Sequence, residues 1–242
     1  ESRNNFDAIT LRQPSDLEDT LLESPLPIVI RGLVSSWPAV NKAEHSNQSL
    51  IDYLCQFDQS HRLTALITPP ERGGRIFYND SITGFNFEQV RTTLTRALDQ
   101  LMTFNAETPP PGLYIGSTHL GHWLPGFSED NPLLLPDKEP IASIWIGNQS
   151  RIAAHFDFPS NLACVVSGHR RVTLFPPEQI NNLYVGPLDF TPAGQPISLV
   201  DFSQPDWEAF PKFHTALEHA VVADLEPGDA IIIPSMWWHH MA

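Results

Sequence analysis

The chain has 242 residues, of which 41% are hydrophobic, and 14 basic against 28 acidic side chains give a formal charge of −14 at pH 7. The length suits a single domain with one core, and the hydrophobic content excludes a disordered chain. The negative charge repels nucleic-acid backbones and anionic membrane surfaces, so neither is an expected partner.

The chain contains only two cysteines, Cys55 and Cys164, which lie far apart and outside any metal-binding spacing. This usage predicts neither a thiolate zinc site nor a disulfide framework, and it favours a reducing compartment. No apolar run approaches the roughly 20 residues that span a bilayer, and the first residues lack a signal-peptide pattern. We therefore expect a soluble, cytoplasmic protein, although the chain begins at Glu1 rather than at Met.

The first part of the chain, residues 1–112, predicts a mixture of helices and strands. A capping-box pattern of Ser15 and Glu18 begins a helix, which Pro25 and Pro27 end, and the β-branched run IVIRGLV then indicates a strand. Two further helices are expected to pack outside a sheet, one from about Ser49 through LIDYLCQF and one after position 86. The second has apolar residues at helical spacing: Phe87, Val90, Leu94, Leu98 and Leu101.

The second part, residues 113–242, changes to short β runs separated by Gly and Pro turns. These runs are LYIGS, ASIWIG, RIAAHFDF, LACVVSG, RRVTLFPP, HAVVADL, DAIIIP and WWHHMA. Regularly spaced short strands are typical of a sandwich or barrel. We predict a mainly β jelly roll, a double-stranded β-helix, and no second domain.

One strand-like run carries a candidate metal site. Side chains at i and i+2 of a strand point to the same face, so His155 and Asp157 can converge on one ion. A third ligand is available in the run WWHH, although strand parity cannot choose between His239 and His240. Two histidines and one carboxylate form the facial triad of non-haem Fe(II), while Zn, Mn or Ni could use the same ligands. An HxD tripeptide alone is weak evidence, but the ordered set of HxD, GxRR, FPP, PGD and WWHH is specific.

The stretch IWIGNQSRIAAHFDFPSNLACVVSGHRRVTLFPPEQINNLY, continued by DFSQPDWEAFP and EPGDAIIIPSMWWHHMA, resembles the JmjC-type cupin hydroxylases, especially their asparaginyl hydroxylase branch. The resemblance covers roughly the last hundred residues closely and PIVIRGLVSSWPA and LYIGS more loosely. It implies a cupin jelly roll, Fe(II) held by His155, Asp157 and His239, and 2-oxoglutarate and O2 as co-substrates. It also implies that Asn161 and Tyr114 hydrogen-bond oxoglutarate; otherwise they are ordinary turn and core residues.

Arg170 shares a strand face with Val172 and Leu174, which points its guanidinium into an apolar row. An isolated charge there is costly, so Arg170 requires an anionic partner. The far carboxylate of 2-oxoglutarate would accept a bidentate grip, and the resemblance places an oxoglutarate-binding basic residue here, usually Lys. The alternatives are a structural Asp or Glu partner or a surface position. Arg171, on the other face, is expected to be solvated.

Several other aromatic and imidazole side chains have ordinary interpretations. Trp145, Trp237 and Trp238 are expected in the core, although an aromatic wall beside a metal would help to exclude water. His119 and His122 have a spacing of three, but no helix is predicted there, so a loop or substrate-rim position is expected.

The resulting functional hypothesis is an Fe(II)- and 2-oxoglutarate-dependent oxygenase that hydroxylates a side chain of a protein, peptide or small molecule. The acidic balance disfavours a chromatin enzyme. The segment PAGQPISLV lacks, at the expected place, the glutamine that helps the asparaginyl hydroxylases to hold their target asparagine, which puts asparaginyl specificity in doubt. The alternatives are a cupin metal enzyme without oxoglutarate and a non-catalytic binding module. Since the family continues beyond the position of Ala242 into another core strand and dimer-forming helices, we expect a longer parent chain and a homodimer.

Overall fold

The structure is a computed structural model and describes residues 4–5, 8–9, 17, 22–133, 135 and 140–242. The helix expected after Ser15 lies almost wholly outside these residues. Fourteen strands occur in the described part of the chain: β1 Asn4–Asn5, β2 Ala8–Ile9, β3 Ile28–Ile30, β4 Arg62–Thr68, β5 Arg75–Ile76, β6 Glu88–Thr93, β7 Gly112–His119, β8 Ser143–Gly147, β9 Arg151–His155, β10 Asn161–Cys164, β11 Arg170–Phe175, β12 Val221–Leu225, β13 Ala230–Ile233 and β14 Trp238–Met241.

The described helices are short, and the three longest lie in the first part of the chain. They are α1 Pro38–His45, α2 Asn47–Cys55, α3 Leu94–Phe104, α4 Leu120–Trp123, α5 Phe127–Asp130 and α6 Phe213–Glu218, with 3-10 turns at Pro70–Arg72 and Pro177–Asn182. The helix expected from about Ser49 is confirmed as α2, where the Ser46 side chain caps the start by accepting the backbone N–H of Ser49. No described helix is long and apolar enough to cross a membrane.

The helix expected directly after position 86 is wrong in its first half. Residues Glu88–Thr93 form strand β6, and only from Leu94 does the chain become helical. Strand β6 pairs antiparallel with β4, from Arg62 opposite Thr93 to Ile67 opposite Glu88. The few apolar residues before Leu94 match a helical period by chance. The β-branched pair at 92–93 and the pairing with β4 favour extended backbone.

The described strands form three sheets. The six-stranded sheet has the order β1-β12-β11-β14-β9-β5, and the two four-stranded sheets have the orders β10-β13-β3-β2 and β6-β4-β7-β8. The mainly β jelly-roll class predicted from the sequence is confirmed. Helices α2 and α3 pack against β4 and β7 around one apolar cluster, as expected for helices outside a sheet.

The six-stranded sheet has two different faces. On the inner face, Val172 and Leu174 of β11 pack with residues of β3 and β13, which belong to the opposing sheet. On the outer face, Ala154 of β9, Phe175 of β11 and Trp238 of β14 pack beneath α6. Because successive side chains alternate between faces, this division determines where every side chain of β9, β11 and β14 points.

The PGD motif turns the chain between β12 and β13. Gly228 has a φ of +94°, and a Cβ there would lie 2.4 Å from the Ser35 hydroxyl oxygen, so only glycine fits. The buried Asp229 carboxylate accepts hydrogen bonds from the backbone N–H groups of Gly32 and Glu226, each at 3.0 Å, and pairs with Arg31. The motif therefore fastens β13 to the end of β3.

Replacing Asp229 by Ala is expected to lower the free energy of unfolding by about 2–3 kcal/mol, because buried backbone donors and Arg31 lose a charged acceptor. Replacing Arg171, whose ion pair with Asp224 is exposed, should cost less than about 1 kcal/mol. Urea unfolding of both variants measures the difference. Equal losses of unfolding free energy in the two variants would contradict the stabilising role assigned to Asp229.

The Asp229 contribution should also depend on pH. Burial raises the pKa of Asp229, but the backbone amides of Glu226 and Gly32 and the Arg31 guanidinium outweigh burial and hold this pKa below its usual value. Stability from a lowered carboxyl pKa is present above the unfolded value of about 3.9 and is lost as the pH falls through the folded value. The difference in unfolding free energy between wild type and Asp229→Ala should therefore shrink below about pH 4.

Candidate metal centre

Three side chains meet at one point on the inner face of the six-stranded sheet. One ligand atom from each of His155, Asp157 and His239 lies within 4.8 Å of the other two. His155 ends β9 and stands directly opposite His239 in β14, and the centroids of the two rings are 4.3 Å apart. Directly opposed residues of antiparallel strands project to the same face, and Asp157 follows two residues after His155.

Backbone carbonyls orient both imidazoles. Nδ1 of His155 lies 2.9 Å from the carbonyl oxygen of Ala153, and Nδ1 of His239 lies 3.0 Å from that of Trp237. A carbonyl oxygen only accepts, so each Nδ1 carries the proton and each Nε2 keeps its lone pair. Nε2 of His239 is 3.6 Å from Oδ2 of Asp157. This is the second-sphere arrangement that metal-binding histidines normally have.

Burial keeps His239 neutral. It lowers the pKa of His239 to about 4, and the neighbouring His155 acts in the same direction. At neutral pH, Nε2 of His239 is therefore free of a proton, which is the form that binds a metal. Two imidazole nitrogens and one carboxylate oxygen fit non-haem Fe(II) by donor type and number.

The structure resolves the choice between the two adjacent histidines. His239 is buried on the inner face with His155, whereas the His240 ring stacks on Phe202 on the outer face, with 4.5 Å between centroids. Burial, followed by the charge of Arg151, lowers the pKa of His240 to about 4. His240 is thus a packing residue, and His239 is the third candidate ligand.

Two amide side chains hold the Asp157 carboxylate. Asn161, in β10, donates Nδ2–H to Oδ2 at 2.6 Å, and Gln195 donates Nε2–H to Oδ1 at 2.7 Å. Asn161 was expected at a co-substrate position, and the structure places it beside the candidate ligands. Gln195 was not singled out, because it lies 38 residues from Asp157 in an irregular segment that gives no local signal.

A second polar group lies on the same inner face. Arg170 is partly buried, and its Nη1–H donates to the backbone oxygen and to the hydroxyl oxygen of Ser150, each at 3.2 Å. Burial lowers the pKa of Arg170, and the nearby Tyr114 partly offsets this shift. Burial raises the pKa of Tyr114 to about 12, and the charge of Arg170 partly offsets that shift. Among the described residues, no Asp or Glu pairs with Arg170. Ser150, which is buried, was missed by the sequence analysis.

Other singled-out residues lie away from this centre. The core position expected for Trp145 is wrong: its side chain is 54% exposed, because Ile144 and Ile146 of β8 face the core and Trp145 faces the opposite side. Trp237 and Trp238 are buried, as expected. Arg171 is exposed, as expected, and makes a bidentate ion pair with Asp224.

The two histidines at 119 and 122 take no part in the three-residue cluster. The loop expected there is wrong, since His119 ends β7 and His122 lies in the single-turn helix α4. Both are exposed, and the His122 ring stacks on that of His61, with 4.5 Å between centroids.

Replacing His239 by Ala is expected to abolish binding of Co(II), used as a stable substitute for Fe(II), because one of three ligands is lost. Replacing His240 by Phe keeps the ring contact with Phe202 and should leave Co(II) affinity within about threefold, because this ring neither binds nor orients a ligand. Equilibrium dialysis of both variants measures the contrast. Loss of Co(II) in the His240 variant alone would reverse the assignment.

Comparison with known proteins extends these observations. The family described as the cupin-like domain matches residues 14–242. The chain is 26% identical over 255 residues to a lysine-specific demethylase, JMJ31, of Arabidopsis thaliana, an alignment that covers 94% of this chain and 45% of the relative. It is 23% identical over 251 residues to human HSPB1-associated protein 1, covering 95% of this chain and 47% of the relative.

A shorter match concerns tRNA wybutosine-synthesizing protein 5 of Danio rerio, which is 34% identical over 86 residues, or 36% of this chain and 24% of the relative. The chain spans about half the length of the two relatives that match it almost throughout. Because the family match extends over nearly the whole chain, and the fold is the expected jelly roll, the chain belongs to the cupin-like JmjC family, a family of Fe(II)- and 2-oxoglutarate-dependent oxygenases.

Proposed function

We propose that this protein is an Fe(II)- and 2-oxoglutarate-dependent oxygenase that hydroxylates a side chain of a protein, a peptide or a small molecule. The metal is held by His155, Asp157 and His239. Arg170 binds the far carboxylate of 2-oxoglutarate, and Tyr114 and Asn161 donate hydrogen bonds to the same co-substrate. Family membership supports the reaction class, and the geometry of the inner face supports these roles.

The observation that carries the proposal is the guanidinium of Arg170. It lies on the inner face among apolar neighbours and makes hydrogen bonds to Ser150 but no ion pair with a described acidic side chain. A cation removed from water without a counter-ion is costly, so an anionic ligand would stabilise this arrangement. A carboxylate matches the fork of N–H donors that a guanidinium presents.

The position of Arg170 along its strand suits a ligand that also reaches the metal. Leu174 of β11 is directly opposite His239, and Arg170 lies four residues before Leu174 on the same face. At about 3.3 Å per residue, the two positions on β11 are about 13 Å apart. The five-carbon chain of 2-oxoglutarate, with a carboxylate at each end, suits a site that has a metal at one end and an arginine at the other.

In this proposal, the bound metal and 2-oxoglutarate supply the oxidising chemistry with O2, and the protein supplies binding and orientation. An ion held by these three residues would have three further coordination positions for a co-substrate and O2. The buried Val172, Leu174 and Trp237 line the same interior and exclude water from it. Tyr114, whose pKa is about 12, keeps its proton at neutral pH and can donate it in a hydrogen bond.

The substrate class rests on different observations from the co-substrate. The relatives are named for lysine-specific demethylation, for association with HSPB1 and for wybutosine synthesis in tRNA, so their names do not point to one class of substrate. The net charge of −14 favours a protein, a peptide or a small molecule over a nucleic acid or a membrane surface. Demethylation also begins with hydroxylation of a methyl group, and a methylated peptide is therefore one of the substrates to test.

The proposal is tested by titrating the protein anaerobically with Fe(II) and then with 2-oxoglutarate, while recording the visible metal-to-ligand charge-transfer band. The wild type should develop the band, and His155→Ala should not. Arg170→Ala should require at least about 30-fold more 2-oxoglutarate for half-saturation, because loss of a buried charge partner costs about 2 kcal/mol or more.

Arg171→Ala is the matched control, since Arg171 is the neighbouring arginine on the exposed face, and its half-saturation should equal that of the wild type. Metal binding without a band would favour a cupin metal enzyme that does not use 2-oxoglutarate. Failure to bind metal would favour a non-catalytic binding module.

A further inference from the structure

Both oxygens of the Asp157 carboxylate have an amide donor, and the two donors come from different parts of the chain. Asn161 contacts Oδ2, the oxygen that approaches Nε2 of His239. Gln195 contacts Oδ1, the other oxygen, at 2.7 Å. The orientation of the carboxylate is therefore determined by two hydrogen bonds, one of which arrives from a distant segment.

The segment that carries Gln195 runs from Gly186 to Ile197 and is called here the Gln195 loop. Its ends pair with each other, because Gly186 N–H donates to the carbonyl oxygen of Ile197 at 2.9 Å. Directly after the loop, Ser198 N–H donates to the carbonyl oxygen of Ala154 at 2.8 Å. The base of the loop is thus attached to β9, the strand that ends at His155.

The far part of the Gln195 loop is also held in place. The Phe190 ring stacks on that of Phe85, with 4.6 Å between centroids, and the Phe190 carbonyl oxygen accepts the hydroxyl of the buried Tyr78. Beside Gln195, Gly194 has a φ of +101° and donates its N–H to the Thr191 hydroxyl oxygen at 2.7 Å. These contacts hold the loop, and with it Gln195, in one position relative to β9.

A carboxylate can bind a metal through one oxygen or through both. If Asp157 used both oxygens, it would occupy one of the three positions that the facial triad leaves open. Both oxygens accept an amide N–H, but Oδ2 is the oxygen that faces His239. The hydrogen bond from Gln195 to Oδ1 would therefore oppose a rotation of the carboxylate that brought Oδ1 to the ion. Glutamine suits this task because it donates a hydrogen bond at every pH near neutrality and adds no charge to the site.

We propose that Gln195 is a positioning residue that keeps Asp157 a one-oxygen ligand and so keeps the third open coordination position available to 2-oxoglutarate and O2. This inference rests on the proposed function. Through Gln195, the Gln195 loop would thus limit the number of protein oxygens bound to the metal. Outer partners of metal ligands commonly change metal affinity or activity by about 10- to 100-fold when they are replaced.

The test uses Mn(II) as a probe and counts the water molecules bound to it, from the relaxation of water protons and the EPR line broadening by ¹⁷O-labelled water. The wild type should bind Mn(II) with three waters in the open positions. In Gln195→Leu, which has a similar volume but no N–H donor, Asp157 should bind through both oxygens and displace one water. The Mn(II) dissociation constant should change by less than about threefold, whereas 2-oxoglutarate should bind about 10-fold more weakly, since it must displace a carboxylate oxygen.

Two further variants separate this role from a general effect on the fold. Gly194→Ala adds a Cβ that meets no atom within 4 Å, so it strains only the backbone beside Gln195 and should reduce the water count partly. Gln48→Leu removes a similar glutamine-to-aspartate hydrogen bond, from Gln48 to Asp52 at 2.8 Å on the exposed face of α2. It should change neither the water count nor 2-oxoglutarate affinity.

Two outcomes in Gln195→Leu would contradict the inference, and one outcome in the wild type would contradict the proposed function. An unchanged water count and unchanged 2-oxoglutarate affinity in Gln195→Leu would show that Gln195 does not control Asp157. Loss of Mn(II) binding together with a lower Tm in that variant would make its role structural. A wild-type protein that binds no Mn(II) would contradict the proposed function itself, whereas normal wild-type binding with an unaffected Gln195→Leu would contradict only the inference.

Discussion

The antiparallel pairing of β9 with β14 determines where the candidate metal ligands meet. It sets His155 directly opposite His239 and places both imidazoles on the inner face. A shift of one residue in this register would turn one histidine to the outer face and replace it with its neighbour, Ala154 or His240. The convergence of the candidate metal ligands is therefore a consequence of strand register, and the outer-face packing of Phe175 and Trp238 helps to hold that register.

The interior of the jelly roll changes the chemistry of the groups that it encloses. Burial favours neutral His239, protonated Tyr114 and a counter-ion for Arg170, all through the same penalty on charge in an apolar medium. The hydrogen bonds from backbone carbonyls and from Asn161 and Gln195 then orient the ligands without adding charge. One physical cause, burial, thus acts on the candidate ligands and on Arg170 alike.

Local patterns predicted most of the β part correctly, because strand alternation is a property of consecutive residues. The shared face of Arg170 with Val172 and Leu174 follows from period-two alternation, and the packing of Val172 and Leu174 agrees with it. The same reasoning failed at β6, where a helical spacing of apolar residues lies in a strand paired with β4. It also failed for Trp145, because the pattern does not say which face of β8 the helices cover.

The class of fold, the shared face of His155 and Asp157, and the direction of Arg170 could all be predicted from residues that are adjacent or alternate in one strand. Strand alternation could not choose between His239 and His240, for which the sequence offered only the family resemblance. The register between β9 and β14, two strands far apart in the chain, places His239 beside His155 and turns His240 to the other face. Only the tertiary structure brought Gln195 to Asp157 across 38 residues. Contacts of this kind are produced by the packing of separate segments, and no local pattern of side chains encodes them.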